Sequence, residues 1–551
     1  MNDNSSNLET DPDQPKSDSA PTRSPRNTRN ILSVITSLVF IVTAILVLLG
    51  LCYVTLTAHV LWIQGLLVIL IILWLLTVTQ TIRLAFVNLI GILARMGLIP
   101  TDYLLTANVI EENRLPTTVL QLDTISANDL TPTTMPQMPS LSVLIPAVNE
   151  DEELISRGIR SVRATRYNGL LRIYILDDSK DGKYKRLAEE NGVEYIARPV
   201  KIHGKAGNLN YAMKNYVDTE LFFVMDCDYE IIDSDIFVKM VARMDERTAF
   251  VQAPQRYLNV ADSKASRFAE IENVIWFDTI NAHVDRYDIV PYHGTNSIVR
   301  TQALKEVGYN YEDGAVDDFP TYARMLQRGW KSAYLPEIVM EGSGPKDIQG
   351  LMKQRKKWAM GMGTAFVREG YKLLKTRNPV TWINHWCNFT WFAWPVTNLA
   401  YSVMLGIFII LQYLNIFTIP LVPILVLLHL AASVILLPVM GGRKYGLPFL
   451  KMLSMDYLFT YEFGWNYIKG MIGRRTDVLT PKTKSGLGTG QMLALVVPII
   501  ATVLFFSVIT IVSVQILEPF YFGFGAYNVI IYAYSLTNLI GNPTTPSTQK
   551  N

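Results

Sequence analysis

Between Leu141 and Pro345 the chain sets its carboxylates in pairs: Asp177 with Asp178, Asp226 with Asp228 around Cys227, then Asp317 with Asp318. Two carboxylates two residues apart suit a hard divalent cation, Mg²⁺ or Mn²⁺, that also holds a diphosphate. Such a cation offsets the charge that builds up as a nucleoside diphosphate leaves. A solvated turn after a strand is the plain alternative for Asp226-Cys227-Asp228 taken alone. The Asp177-Asp178 pair at a neighbouring strand end favours a site. Asp317 and Asp318 open a helical segment running to about Arg328, where negative charge is favourable in any case. In the chemical reading one of the two is a general base for an acceptor hydroxyl. Lys205 lies among glycines in the run His203 to Asn210, at a helix start, which is an anion-binding arrangement; a surface lysine in an ordinary loop fits equally well. Gln354, Arg355, Lys356, Lys357 and Trp358 lie together on a helix rich in Met, Lys and Trp. As a basic interfacial helix it would send Arg355 and Lys356 to lipid headgroups. Trp358 offers either a platform for a sugar ring or an interface anchor.

The elements that must position these groups are legible around them. Apolar runs at Leu141 to Ile145, Arg172 to Leu176 and Leu221 to Met225 read as buried strands. Helical patterns at Leu154 to Ala164 and Lys183 to Asn191 lie between them. Strands alternating with helices predict a mostly parallel, Rossmann-like α/β sheet with helices on both faces. Ligands of such sheets bind beyond the carboxyl ends of the strands, where the acidic pairs fall.

Half of the 551 residues are apolar (50%) and only 18% are charged. The excess is concentrated in six charge-free stretches: Ile31 to Leu56, Val60 to Thr79, Trp386 to Tyr413, Phe417 to Met440, Met492 to Leu517 and Phe520 to Ile540. Each approaches or exceeds the length of about 20 residues needed for a hydrocarbon core of roughly 30 Å. Lys and Arg are absent from the short segments at Thr57 to His59, Leu414 to Ile416 and Glu518-Pro519. They crowd the opposite sides, at Arg23, Arg26, Arg29, Arg83, Arg95, Arg443, Lys444, Lys469, Arg474 and Arg475. The positive-inside rule then predicts a multi-pass protein of the plasma (inner) membrane, with both termini and the polar block cytoplasmic. The first helix is too long, and too soon followed by a second, for a cleaved signal peptide, so it reads as an anchor. Three cysteines argue against a disulfide framework, and the six histidines show no metal-ligand spacing. A net charge of +2 gives no reason to invoke nucleic acid. The first 30 residues, rich in Ser, Pro, Asp and Asn, read as disordered.

Taken in order, these motifs resemble the membrane-integrated glycosyltransferases of family 2, of the cellulose synthase type. The resemblance runs from about Leu141 to Ile540 and includes two membrane helices, a catalytic domain and four further helices. It implies a GT-A-like cytoplasmic domain inserted in a transmembrane domain of about six helices. By that resemblance Asp177 and Asp178 look like the pair that holds the uridine of a UDP-sugar donor, and Lys205 like the lysine near the nucleotide. Asp226 and Asp228 resemble the donor and metal aspartates, and Asp318 the catalytic base. Gln354, Lys357 and Trp358 occupy the last motif, with Lys357 expected near the pyrophosphate and Trp358 under the acceptor sugar. Gly294 and Thr295 fall at the family's finger near the acceptor. Thr480 and Lys482 fall in a gating loop that closes over the donor.

The implied domains are a disordered arm (1–30), two helices and an interfacial segment (31–98), and the transferase domain (110–345). Interfacial helices (346–385), membrane helices (386–440), an interfacial helix with a gating-like loop (441–488), two final helices (489–540) and a tail (541–551) follow. The departures from the family pattern are Lys357 for Arg, Val316-Asp317 for Thr-Glu, His293 for the finger Cys, and Asp477 for an aromatic residue in the gating loop. Lys357 keeps the charge and loses the bidentate fork. The stretch after Ile540 is too short for a cyclic-di-GMP-binding module of the kind bacterial cellulose synthases carry.

Two enzymatic readings follow. In the first, sugars (glucose foremost) pass from a UDP-sugar to a growing β-linked polysaccharide that is extruded, with Trp386, Trp391, Trp394 and Asn398 lining its path. In the second, one sugar passes to a lipid acceptor, which Lys357 and Asp477 favour. A transporter with a regulatory domain leaves the carboxylate series unexplained. Accessory subunits leave no readable trace.

Overall fold

The computed structural model describes residues 25–57, 61–95, 138–370, 372, 379–416, 449–473, 489–515 and 518–539. Nine strands lie in the polar block: β1 Leu141–Ala147, β2 Leu171–Asp177, β3 Glu194–Ala197, β4 Leu221–Val224, β5 Tyr229–Ile231, β6 Thr248–Gln252, β7 Ser297–Arg300, β8 Lys331–Tyr334 and β9 Met340–Gly342. Seven form one sheet in the order β3-β2-β1-β4-β7-β6-β8, and β5 pairs with β9. The sheet is mostly parallel, as expected; β7 alone runs against both its neighbours, β4 and β6.

The strands read as continuous apolar runs because both faces are covered. Period-2 alternation divides them. Leu144, Leu176, Phe222 and Val224 join one core, while Val143, Ile145, Ile175 and Phe223 join the other. The first core does not stop at the domain edge. It continues through Met352 and Ala359 into Phe389, Leu405, Leu458 and Ile499, so one face of the sheet shares its packing with the apolar helices.

Strand order reverses beside β1, which pairs with β2 on one side and β4 on the other. The crevice past the ends of these strands is where open α/β sheets bind ligands. Asp177 closes β2 opposite Ala147 of β1, and Asp226 follows two residues after β4.

Among the described residues three helical stretches are long and apolar enough to cross a membrane: Leu61–Val87, Val380–Tyr413 and Met492–Gln515. Ile41–Leu56 is a shorter apolar helix, and Pro519–Ser535 is helical over 17 residues. The expected span Phe417 to Met440 lies outside the described residues. The second apolar helix runs further than the charge-free stretch: it includes Arg83, which the charge distribution alone assigns to the cytoplasmic flank.

Candidate active site

Lys205 is the hub of the crevice. It lies in the first turn of the helix Gly204–Asn215, which His203 enters in the left-handed conformation (φ 61°). Its Nζ donates to Asp226 Oδ1 at 2.5 Å and to the Gly294 carbonyl at 2.9 Å. Burial works against the ammonium, yet Asp226, Asp317 and Asp318 hold its pKa above the usual lysine range. One side chain therefore ties the acid after β4 to the finger loop before β7.

That loop is built for close approach. Gly294 has φ +72°, and a Cβ there would stand 3.2 Å from the Cβ of Asp318. A larger residue would be strained and would crowd the carboxylate. Thr295 Oγ1 accepts from the Asp226 backbone N–H at 3.1 Å. Gln252 holds the loop from β6, donating to the carbonyls of Thr295 and Asn296 and accepting from the His293 N–H.

Asp318 opens the helix Asp318–Gln327, as expected. It is partly open to the crevice, although protein surrounds it on the other sides. Burial pushes its carboxyl up to about 7, and Asp317 adds to the rise; the Phe319 N–H, Lys205 and Lys357 pull the other way. A carboxylate of that affinity is matched to proton abstraction near neutral pH. Asp317, Lys205 and Lys357 are thus within electrostatic reach of Asp318, and Gly294 lies against it.

Other expected ligands have structural partners. Asp177 is fully buried beneath the crevice. Its carboxylate accepts from the Ser179 N–H at 2.7 Å and the Tyr195 hydroxyl at 2.9 Å. Asp178 is gripped by both edge nitrogens of Arg198, Nε at 2.7 Å and Nη2 at 2.6 Å, and both side chains are nearly closed to solvent. Breaking such a buried pair costs roughly 3–5 kcal/mol. Arg198 also donates to the Ile202 and Gly204 carbonyls, so the pair fixes the loop that delivers Lys205. Asn208 and Asn210 serve the same end: Asn208 donates to the β2 carbonyl of Leu176, and Asn210 clamps the chain at Asn310.

The helix Ile348–Ala365 carries Gln354, Lys357 and Trp358. The headgroup reading fails for Arg355, which is 1% exposed and pairs with Glu272 at 2.5 Å. Its guanidinium lies 4.1 Å from the Trp358 ring centroid and also donates to Gln354 Oε1 at 2.7 Å. Lys356 likewise pairs with Glu462 of the helix Phe449–Met471, at 2.8 Å. The cause is a partly buried carboxylate 83 residues upstream in the first case, a partner that sequence spacing does not reveal.

Sequence reasoning missed an aromatic wall beside the finger. The π-helix Val274–Asn281 sets Trp276 6.0 Å and Phe277 4.8 Å from His293, ring centre to ring centre. Trp276 lies 5.1 Å from Trp391. Burial holds His293 neutral, its pKa lowered to about 4. The one signal available was the Trp391 already placed on the path. Thr480, Lys482 and Asp477 lie outside the described residues. Among the described residues no group of three or more His, Cys, Asp or Glu side chains is placed to hold a metal.

A family profile described as glycosyl transferase family group 2 matches residues 221–438, which include Asp226, Asp318 and the Gln354–Trp358 motif. The catalytic subunit of cellulose synthase 1 (UDP-forming) from Komagataeibacter xylinus is 27% identical over 232 residues, 41% of this chain and 31% of its own length. The corresponding subunit from Xanthomonas axonopodis is 25% identical over 230 residues, with the same two shares. Over this domain the chain is similar to family 2 glycosyltransferases of the cellulose synthase type. The domain spans about a third of the catalytic subunits it matches. Among solved structures, a mannosyltransferase from Pyrobaculum calidifontis in complex with GDP-Man and Mn²⁺ covers 62% of this chain and 92% of its own, at 17% identity and a TM-score of 0.42.

Proposed function

We propose that the chain is an inverting, membrane-integrated glycosyltransferase that moves a sugar from a UDP-sugar, glucose foremost, to a growing β-linked polysaccharide, and passes the product outward. The observation that carries this reading is the Lys205 hub. It brings Asp226, the finger loop and the high-affinity carboxylate of Asp318 to one crevice at the edge of the apolar helices.

The geometry supports the following division of labour. Asp318 takes the proton of the acceptor hydroxyl as that oxygen attacks the anomeric carbon, and the bond to the diphosphate breaks on the opposite face. A single base with direct displacement inverts the configuration. Gly294 lets the acceptor approach the base without obstruction. Lys205 and Lys357 supply positive charge toward the departing diphosphate. Asp226 and Asp228 offer hard oxygen donors in a spacing that would suit a divalent cation. When bound, Mg²⁺ or Mn²⁺ would neutralise the leaving group. Asp178, locked to Arg198, shapes the nucleotide end of the crevice.

The test is to reconstitute the purified protein in liposomes, supply a panel of UDP-sugars with Mg²⁺ or Mn²⁺, and digest the product with linkage-specific hydrolases. A long β-linked polymer is expected, with turnover lost in excess EDTA. Undiminished turnover in EDTA removes the metal, an α-linked product from an α-linked donor removes the single-base mechanism, and a one-sugar glycolipid product moves the acceptor to lipid.

A further inference from the structure

Arg83 projects from the second apolar helix into protein, 9% exposed. Among the described residues no carboxylate pairs with it. Nη1 donates to Asn388 Oδ1 at 2.5 Å, while Nε and Nη2 are buried with no hydrogen-bond partner. Those two nitrogens form one edge of the guanidinium, the edge that grips a carboxylate side-on. Arg198 uses the same edge for Asp178, and Arg166 uses it for Asp235. A charge inside a membrane segment without a counter-ion marks a functional group by default.

The neighbours say what kind of group. The guanidinium lies 5.7 Å from the Trp276 ring centroid and 5.8 Å from that of Trp391. Both indoles are only half-buried, unlike Arg83. Trp276 also meets His293, next to the Gly294 that abuts Asp318. The order from the base outward is Asp318, finger loop, Trp276, then Arg83 with Trp391. Aromatic faces suit the apolar side of a sugar ring, and a free guanidinium edge suits a planar carboxylate. We propose that Arg83, Trp276 and Trp391 form an acceptor subsite for an acidic sugar unit, one that carries a carboxylate on its ring as a uronic acid does. The subsite rests on the glycosyltransferase reading and narrows its acceptor from a polysaccharide to an acidic one. A neutral sugar would leave the charge uncompensated. A bulk lipid headgroup is disfavoured because Arg83 is enclosed by protein beside two indoles.

The experiment measures binding of two tetrasaccharides, one of β-linked glucose and one of β-linked glucuronic acid, to the full-length protein in nanodiscs, with UDP as control. The native protein should bind the acidic tetrasaccharide about tenfold or more tightly than the neutral one. Arg83→Gln should bring the acidic affinity down to the neutral level and leave UDP affinity unchanged, and Arg83→Lys should keep part of the preference. Asn388→Asp, which places a counter-ion beside Nη1, tests the same point without removing the arginine and should also erase the preference. Equal affinities in the native protein, or a preference that survives both Arg83→Gln and Asn388→Asp, would overturn the subsite. So would Arg83-dependent binding of vesicles containing polyprenyl phosphate with no preference for the uronate. Failure of the native protein to bind UDP would instead sink the glycosyltransferase reading; normal UDP binding without acid preference sinks the subsite alone.

Discussion

At the scale of single residues, the active groups are set by their neighbours more than by their type. Asp318 is an ordinary carboxylate in sequence, and burial beside Asp317 raises its carboxyl to titrate near neutrality, as the proposed base requires. Transfer should therefore fall as pH drops through about 7, because the acting form is the ionised one. Stability should move the other way. The folded-state pKa lies above the ordinary value of 3.8, so ionising Asp318 in the folded protein is unfavourable. That penalty is absent below the ordinary value, grows as pH rises, and is complete above about 7. Asp318→Asn should thus lose transfer by about 10²–10⁴-fold, retain UDP binding, and gain melting temperature over the native protein at pH 8 and not at pH 3.5. Inactivity of Asp317→Asn with near-normal Asp318→Asn would assign the base to the neighbouring residue. Lys357 and Trp358 separate by ligand. Lys357→Arg should be tolerated and Lys357→Ala should weaken UDP binding, since a fixed charge is needed near the diphosphate. Trp358→Ala should bind UDP almost normally and use acceptor poorly. Full transfer in Lys357→Ala and Trp358→Ala would remove this helix from the site.

At the scale of elements, strands and their acidic ends were legible because each is a local signal: an apolar run, then a carboxylate. The helix openings at Gly204 and Asp318 were legible for the same reason. What escaped was every role fixed by a distant partner. Arg355 reads as a headgroup cation until Glu272 is brought against it, and nothing in the sequence around Asp178 announces that Arg198 closes on it. The π-helix at Val274–Asn281 leaves no local mark, yet it sets Trp276 beside the finger. The helix Ile348–Ala365 holds its place by crossing the helix Phe449–Met471 where both backbones bear glycine. A Cβ on Gly363 would strike the Tyr467 carbonyl, and one on Gly470 would strike the Met360 carbonyl. Gly470→Ala should force the helices apart, cost about 1–3 kcal/mol of stability, and depress transfer by displacing Lys357 and Trp358. A thermal melt alongside a transfer assay checks it. Unchanged values for both would mean that the crossing does not position the site.

At the scale of the whole molecule, the shared core is the central fact. One face of the sheet packs in the same cluster as residues of the apolar helices, so the transferase domain is seated on those helices rather than tethered to them. That seating brings the finger loop, Trp276 and Trp391 into successive contact at the edge of the apolar helices, an arrangement the proposed acceptor path would use. It also ties orientation to the proposed chemistry, because a crevice that takes the proposed donor must face the compartment that supplies nucleotide sugars. The distribution of Lys and Arg predicts which side that is. Leu414, at the end of the helix Trp394–Tyr413, is exposed and lies in a segment without basic residues. Glu190 is exposed on the transferase domain. In a background with Cys52, Cys227 and Cys387 replaced, Leu414→Cys should react with a membrane-impermeant maleimide in intact cells. Glu190→Cys should react only after permeabilisation. Labelling of Glu190→Cys in intact cells would place the crevice outside, where cytoplasmic sugar nucleotides do not reach, and would contradict both the orientation and the donor proposed here.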